Sequence, residues 1–286
     1  MRLDIFLTEQ GFYRSRSSAK DGILRGEVFV DGVKTLKVAT DITNQKVEVK
    51  SLNPFVSRGG LKLQHALDYF KIDLSNKVCL DIGSSTGGFI DCLVQNGAKF
   101  AYGVDVGNGI LDDKIKTYKN VKVLENTDFK TTTKEDFKNT TLATIDVSFT
   151  SILAILNHLK SFNISEVICL IKPQFEAGKE IIKKCKGVIK DKKIHISVLK
   201  KVLAEIENLG YFVCDLTYSN ILGGSGNIEF LAYLKPTKIN KKFDIEKIVS
   251  EAYNSLLWVN WICLDLLIIV KKKSIMQNLK WPKKIK

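Results

Sequence analysis

The six cysteines of this 286-residue chain (Cys79, Cys92, Cys169, Cys185, Cys214 and Cys263) include no C-x-x-C pair, and three lie inside apolar, strand-like runs. Zinc ligation and a disulfide framework are therefore not expected, and buried thiols of a reducing compartment are. His65, His158 and His195 are scattered and form no ligand cluster, so nothing calls for a metal. No basic segment followed by an apolar one opens the chain, which leaves the cytoplasm as the expected compartment. The apolar run from Ser255 to Val270 is short for a membrane span, which needs ~18–20 residues, and Asn260 and Asp265 interrupt it. The glycine turn near residue 85 has neither Gly-Lys-Ser/Thr nor G-x-G-x-x-G spacing, so the two common nucleotide fingerprints are excluded there.

What is present is a soluble, globular composition: 45% apolar and 26% charged residues, in a chain long enough for two domains. The net charge of +13 points less to nucleic acid than it first suggests. Residues 235–286 hold 12 Lys/Arg against four Asp/Glu, whereas residues 61–234 hold 22 against 20. Local clusters, not net charge, must carry an RNA reading.

The chain is organised around Val78-Cys79-Leu80-Asp81-Ile82-Gly83-Ser84-Ser85-Thr86-Gly87-Gly88-Phe89. A buried strand, an acid, a turn of glycines and small hydroxyl residues, and then a helical pattern make the first turn of a doubly wound, mostly parallel α/β sheet, where ligands bind beyond the strands' carboxyl ends. A second strand, Phe100–Val104, ends at Asp105, placed to hydrogen-bond a ribose diol. This combination looks like the S-adenosylmethionine (SAM) site of Rossmann-like methyltransferases. Its candidate cofactor residues are Asp81, Gly83, Ser84, Ser85, Thr86, Gly87, Gly88, Phe89, Asp105 and Val106. The competing reading is an ordinary βα turn with a helix cap.

Two further strand tips face the same crevice. Leu142–Ile145 ends in Asp146, and Val167–Ile171 ends in Lys172, so adjacent strands present opposite charges. Either a catalytic pair or a structural ion pair would look the same. After a third strand, Val121–Leu124, Asn126 or Asp128 is placed to touch an adenine, and Asp146 is a further cofactor candidate. Lys62, between Leu61 and Leu63 in a helix expected over 61–70, reads by itself as a snorkelling side chain. The segment 180–193 reads as a lysine-rich loop, facing RNA phosphates or merely solvated. A helix from about 194 to 209 follows, and then a closing antiparallel pair flanks a glycine loop, Gly223–Asn227, beside Glu229.

Residues 1–53 form a separate small α+β unit: two helices, then strands Val28–Val30 and Val47–Val49 with a turn at Asp31-Gly32. Arg2-Leu3-Asp4, Ser15-Arg16-Ser17-x-Ala19 and Gly26-x-Val28-x-Val30-x-Gly32 resemble the RNA-binding module named after ribosomal protein S4. The resemblance implies that Arg2, Arg14, Arg16, Lys20 and Arg25 face RNA phosphates, where each cation releases counterions; solvated helix cations are the alternative. Residues 54–60 read as a linker, 61–237 as the catalytic domain, and 238–286 as a basic and apolar extension of unknown role.

Taken together, Val56-Ser57-Arg58-Gly59-Gly60-Leu61-Lys62-Leu63, Asp81 to Phe89, Asp105-Val106-Gly107, Asp146-Val147-Ser148-Phe149, Leu170 to Gly178 and Gly226-Asn227-x-Glu229 resemble the TlyA family, 2'-O-methyltransferases of cytidines in ribosomal RNA with an FtsJ-like domain. The resemblance implies a catalytic set of Lys62, Asp146, Lys172 and Glu229, a SAM cofactor, and Arg58 at the RNA. One departure is Glu125-Asn126-Thr127-Asp128, where many members carry Glu-Arg-Thr-Asn. Mechanistically, Lys172 would either take the hydroxyl proton, with repulsion from Lys62 and burial favouring a neutral amine, or stay charged and stabilise the alkoxide. Two rival readings are a membrane-active haemolysin, resting on the tail, and a non-catalytic RNA-binding assembly factor with a degenerate site.

Overall fold

The computed structural model describes residues 1–256, apart from 14, 25, 51, 52 and 240. The expected RNA contacts at Arg14 and Arg25 and the apolar run beyond Leu256 lie outside the described residues. Chain contacts separate two compact units, Met1–Pro54 and the remainder from Phe55.

In the first unit, helices α1 (Leu3–Glu9) and α2 (Arg16–Leu24) precede strands β1 (Val28–Val30), β2 (Val33–Lys34) and β3 (Val47–Val49). Leu3 and Leu7 share one face of α1, and Ala19 and Ile23 one face of α2; all four are fully enclosed, with Val28 and Ile42 completing the core. The sheet order is β2-β1-β3. β2 is absent from the sequence reading, which paired β1 with β3 across Asp31-Gly32. That two-residue turn, with φ +49° and +76°, can join only Val30 to Val33, so β1 returns through β2 and takes β3 on its other edge.

The second unit begins with α3 (Gly59–Phe70), β4 (Val78–Ile82), α4 (Gly88–Gln95), β5 (Phe100–Val104), α5 (Asp113–Thr117) and β6 (Val121–Leu124). It continues through β7 (Leu142–Ile145), α6 (Ile152–Leu159), β8 (Glu166–Ile171), α7 (Pro173–Glu176), α8 (Lys179–Lys184), α9 (Lys192–Asn208), β9 (Phe212–Tyr218) and β10 (Phe230–Lys235). Seven strands form one sheet in the order β6-β5-β4-β7-β8-β10-β9. The first five are parallel, and β10 runs antiparallel to both β8 and β9. Chain order reverses between β4 and β7, which opens a crevice at their carboxyl ends. The central strands read as unbroken apolar runs because helices cover both faces; every residue of β7 is buried.

Two boundaries differ from the sequence reading. Residues 55–60 are not a linker: Phe55 is buried in the core, Gly60 packs against its ring, and the Val56 amide donates to Asp91 at 2.8 Å. Burial works against the Asp91 carboxylate, yet hydrogen bonds from Tyr118, Gln95, Lys114 and Val56 hold it below the usual range. Nor is everything after 237 an extension. Helical residues 245–256 place Ile245, Val249, Ala252 and Leu256 in the main core. Tyr253 Oη lies 3.0 Å from His195 Nδ1, and Lys200 pairs with Glu246 at 2.6 Å. The segment 180–193 is not all loop either, since α8 forms its first part and α9 begins at Lys192. Among the described residues, no helix is long and apolar enough to cross a membrane.

Candidate active site

The glycine turn after β4 folds back on the neighbouring strand: the Gly83 and Ser84 amides both donate to the Val104 carbonyl. Gly83 has φ +86°, and a Cβ there would stand 2.8 Å from the Asp146 carbonyl oxygen, so only glycine allows this approach. Beyond the turn is a cleft of about 290 Å³, lined by Ser84, Ser85, Thr86, Gly88 and Phe89 on one side and by Lys62, Asp146, Ser148 and Lys172 on another. Residues far apart in the chain meet here because parallel strands deliver their tips to one edge. Glu229 arrives differently. It precedes antiparallel β10, whose first residue, Phe230, pairs with Ile171 at the end of β8.

Each lysine has its own acid. Lys62 Nζ donates to Glu229 Oε2 at 2.5 Å, and both side chains are nearly enclosed. Lys172 Nζ lies 2.6 Å from Asp146 Oδ1, an ion pair without hydrogen-bond alignment, and donates to Ser148 Oγ at 2.9 Å. Gln174 Nε2 donates to the second Glu229 oxygen at 3.3 Å. Ser148 and Gln174 were missed as functional candidates, although both lie within two residues of the strand-tip charges.

The cofactor candidates divide. Asp105 accepts the Ser85 amide at 2.8 Å and the Gly107 amide at 2.6 Å, which orients its carboxylate and leaves lone pairs for a diol. Val106 is 71% exposed beside it. Asp81 departs from its expected place in the crevice: it is fully enclosed beneath the turn, with Oδ1 accepting from Thr144 at 2.7 Å and Oδ2 unpartnered. Burial, reinforced by the charges of Asp146 and Asp105 but opposed by the Thr144 bond, pushes its carboxyl up to about 7. Asp128 caps a short 3₁₀ turn, accepting from the Lys130 amide at 3.0 Å, and is exposed. A glycine cradle and a diol-ready acid suit a ligand that carries a ribose, as SAM does.

At the wall, Arg58 lines the cleft. Phe149 is 93% exposed with φ +64°, an unusual conformation for an aromatic residue, and its ring lies 5.4 Å from Phe175. In the first unit, Arg2 and Arg16 both bind the buried Asp4 carboxylate, at 2.9 Å each, with their side chains about half exposed, while Lys20 is exposed. Hydrogen bonding from Arg2, against burial and with help from Arg16, pulls Asp4 down to about 2.

A sheet in this strand order, with β10 alone antiparallel, and opening at its switch point beside a glycine cradle, defines a Rossmann-like SAM-dependent methyltransferase. Comparison with known proteins narrows the class. The family model for FtsJ-like methyltransferase matches residues 55–236, and that for the S4 domain matches residues 1–43. The chain belongs to the TlyA family of FtsJ-like methyltransferases. It is 40% identical to YqxC of Bacillus subtilis over 89% of this chain and 95% of that one. It is 35% identical to the 23S rRNA (cytidine-2'-O)-methyltransferase TlyA of Campylobacter jejuni over 82% of this chain and 98% of the relative. A solved structure of a hemolysin-named protein from Streptococcus thermophilus matches with a TM-score of 0.73 and 37% identity, covering 89% of this chain and 96% of that one.

Proposed function

We propose that this chain methylates the ribose 2'-hydroxyl of a cytidine in ribosomal RNA, acting in the cytoplasm. The observation that carries the reading is the pair of nearly buried lysine–carboxylate contacts, Lys172–Asp146 and Lys62–Glu229, set beside the glycine cradle. Membership in the family, with a relative named for this reaction, supplies the substrate class.

Bound SAM supplies an electrophilic methyl group on a sulfonium. The turn from Gly83 to Phe89 holds the cofactor through backbone approach, Asp105 takes its ribose diol, and Val106 gives the adenine an apolar neighbour. Asp128, whose Oδ1 caps the 3₁₀ turn and whose Oδ2 lies 3.5 Å from Lys130 Nζ, keeps its place as an adenine contact only by sharing that second oxygen. A 2'-hydroxyl is a weak nucleophile, so the site must stabilise charge on its oxygen as the proton leaves to solvent. Lys172, paired with Asp146 and steered by Ser148, donates to that oxygen. Lys62, fixed by Glu229 and indirectly by Gln174, adds a second positive charge and holds the hydroxyl in line. Phe149 offers an exposed ring on which an unpaired base can stack. Arg2, Arg16 and Lys20 of the first unit, with Arg58 at the cleft, contact RNA phosphates.

The test is transfer of labelled methyl groups from SAM to 30S and 50S subunits isolated from cells lacking this gene. The methylated positions are then mapped by primer extension at low deoxynucleotide concentration. Stops at a cytidine ribose are expected; label on a base, or none in RNA, overturns the reading. Lys172→Ala should reduce kcat by about a thousandfold while calorimetry shows intact SAM binding. Lys172→Arg, which keeps the charge, should retain measurable activity; if Lys172 were the general base, the arginine variant would be as inactive as the alanine one.

A further inference from the structure

Seven lysines between 179 and 193 are exposed, and six of them, Lys183, Lys184, Lys186, Lys190, Lys192 and Lys193, flank the stretch 187–189 three on each side. Among the described residues none of the six has a carboxylate partner, although the Lys192 ammonium rests 5.2 Å over the Tyr253 ring. Lys184, Lys186 and Lys190 line an open depression of about 520 Å³. So many like charges on one segment repel one another and would not by themselves hold a fixed arrangement.

One buried side chain fixes the middle of the segment. Asn227 is 1% exposed; its Nδ2 donates to the Gly187 carbonyl and its Oδ1 accepts the Ile189 amide, both at 2.9 Å. The Asn227 carbonyl in turn accepts the Gly223 amide at 2.9 Å. Gly223 abuts the Glu229 carboxylate so closely that a Cβ would collide with Oε1, and Leu222 and Gly224 line the cleft. The Asn227 amide, together with the buried Ile189 side chain, therefore ties the lysine segment to the wall of the site that holds Lys62. A buried asparagine with both amide groups satisfied by another segment's backbone specifies position more than it adds stability.

We propose that Asn227 is a positioning residue for the RNA substrate, pinning the lysine segment at a fixed distance from the methylation cleft so that it grips the phosphate backbone flanking the target ribose. The inference rests on the proposed RNA substrate, but its test reads binding rather than methylation. The full-length protein is titrated onto 50S subunits from cells lacking the gene, across a range of salt concentrations. For Lys183→Gln/Lys184→Gln/Lys186→Gln, a triple variant at exposed surface positions, the log–log salt slope should become shallower by about two to three, roughly 0.7–0.9 for each of the three lost phosphate contacts. Asn227→Ala should give a similar loss of slope, raise KM for the subunits about tenfold, change kcat much less, and leave SAM affinity unaltered. Asn227→Asp, which keeps the acceptor for Ile189 but loses the donor to Gly187, should fall between. Combining Asn227→Ala with the triple variant should add little.

An unchanged slope in the triple variant overturns the proposal whatever Asn227 does. So does an Asn227→Ala defect confined to kcat, which would make the residue a support for Glu229 alone. If wild-type protein binds subunits with the expected slope but transfers no methyl group, the proposed reaction fails and the grip survives.

Discussion

Lys62 and Lys172 are 8% and 7% exposed, a degree of burial that unpaired lysines rarely tolerate. Their tolerance here comes from Glu229 and Asp146, and removing either acid would leave a buried charge uncompensated. Asp81 presents the reverse case, a carboxyl held where its ionised form is disfavoured. Because its folded pKa, about 7, lies above the unfolded value of 3.8, the folded chain keeps this proton after the unfolded chain has lost it. Asp81 therefore subtracts stability progressively as pH rises from about 4 to 7, and the full cost is present above that. Asp81→Asn should accordingly shift Tm more favourably at pH 8 than at pH 5; equal shifts at the two pH values would show that Asp81 is ionised throughout. Asp4 has the opposite sign. Its pKa, lowered to about 2 by Arg2 and Arg16, contributes stability that is present above pH 4 and is lost as pH falls toward 2. The arginines are half exposed, so solvent screens the gain. Asp4→Asn should cost the first unit about 1 kcal/mol at pH 7, less at high salt, as read by denaturant unfolding.

At the scale of elements, the turn after β4 and the N-terminus of α6 show how local geometry sets the crevice. Gly83→Ala would add a Cβ 2.8 Å from a backbone oxygen, at a φ that side chains avoid. Either the turn moves or Asp146 does, so SAM affinity should fall at least tenfold, a loss of about 1.4 kcal/mol that calorimetry resolves. Glu176, in α7, accepts from Ser151 Oγ at 2.6 Å and from the Ile152 amide at 2.9 Å, completing the N-cap of α6. Burial raises its carboxyl above the usual range. Since α7 follows directly on Lys172, this cap anchors the backbone that carries the lysine. Glu176→Ala should destabilise the fold by about 1 kcal/mol and lower kcat more than it alters SAM affinity. An unchanged kcat would separate the cap from the site.

Across the whole molecule, the second unit extends beyond the region matched by the FtsJ-like family model, because residues 245–256 bury Ile245, Val249, Ala252 and Leu256 against the core. This helix also covers His195, whose imidazole is fully enclosed and is pushed down to about 4 by burial. A chain ending at residue 237 should be less stable than one ending at 256 by on the order of 3–5 kcal/mol, the worth of several buried apolar side chains. Comparable urea midpoints for the two would remove this segment from the core.

The sequence by itself determined the sheet and its glycine turn, because apolar runs ending in Asp81, Asp105, Asp146 and Lys172 carry their own periodicity and their own stops. The two-residue Asp31-Gly32 turn was equally legible, but β2 was not, since a two-residue strand is too short to show alternation. Lys62 and Glu229 illustrate the limit: 167 positions apart, they could be paired from sequence only through a family resemblance. Only the tertiary structure decided that Asp81 lies under the cradle rather than in it, that residues 55–60 and 245–256 belong to the core, and that Asn227 reaches the lysine segment. These are contacts between distant segments, and hydrogen bonds and burial across such distances leave no periodic trace in the chain that makes them.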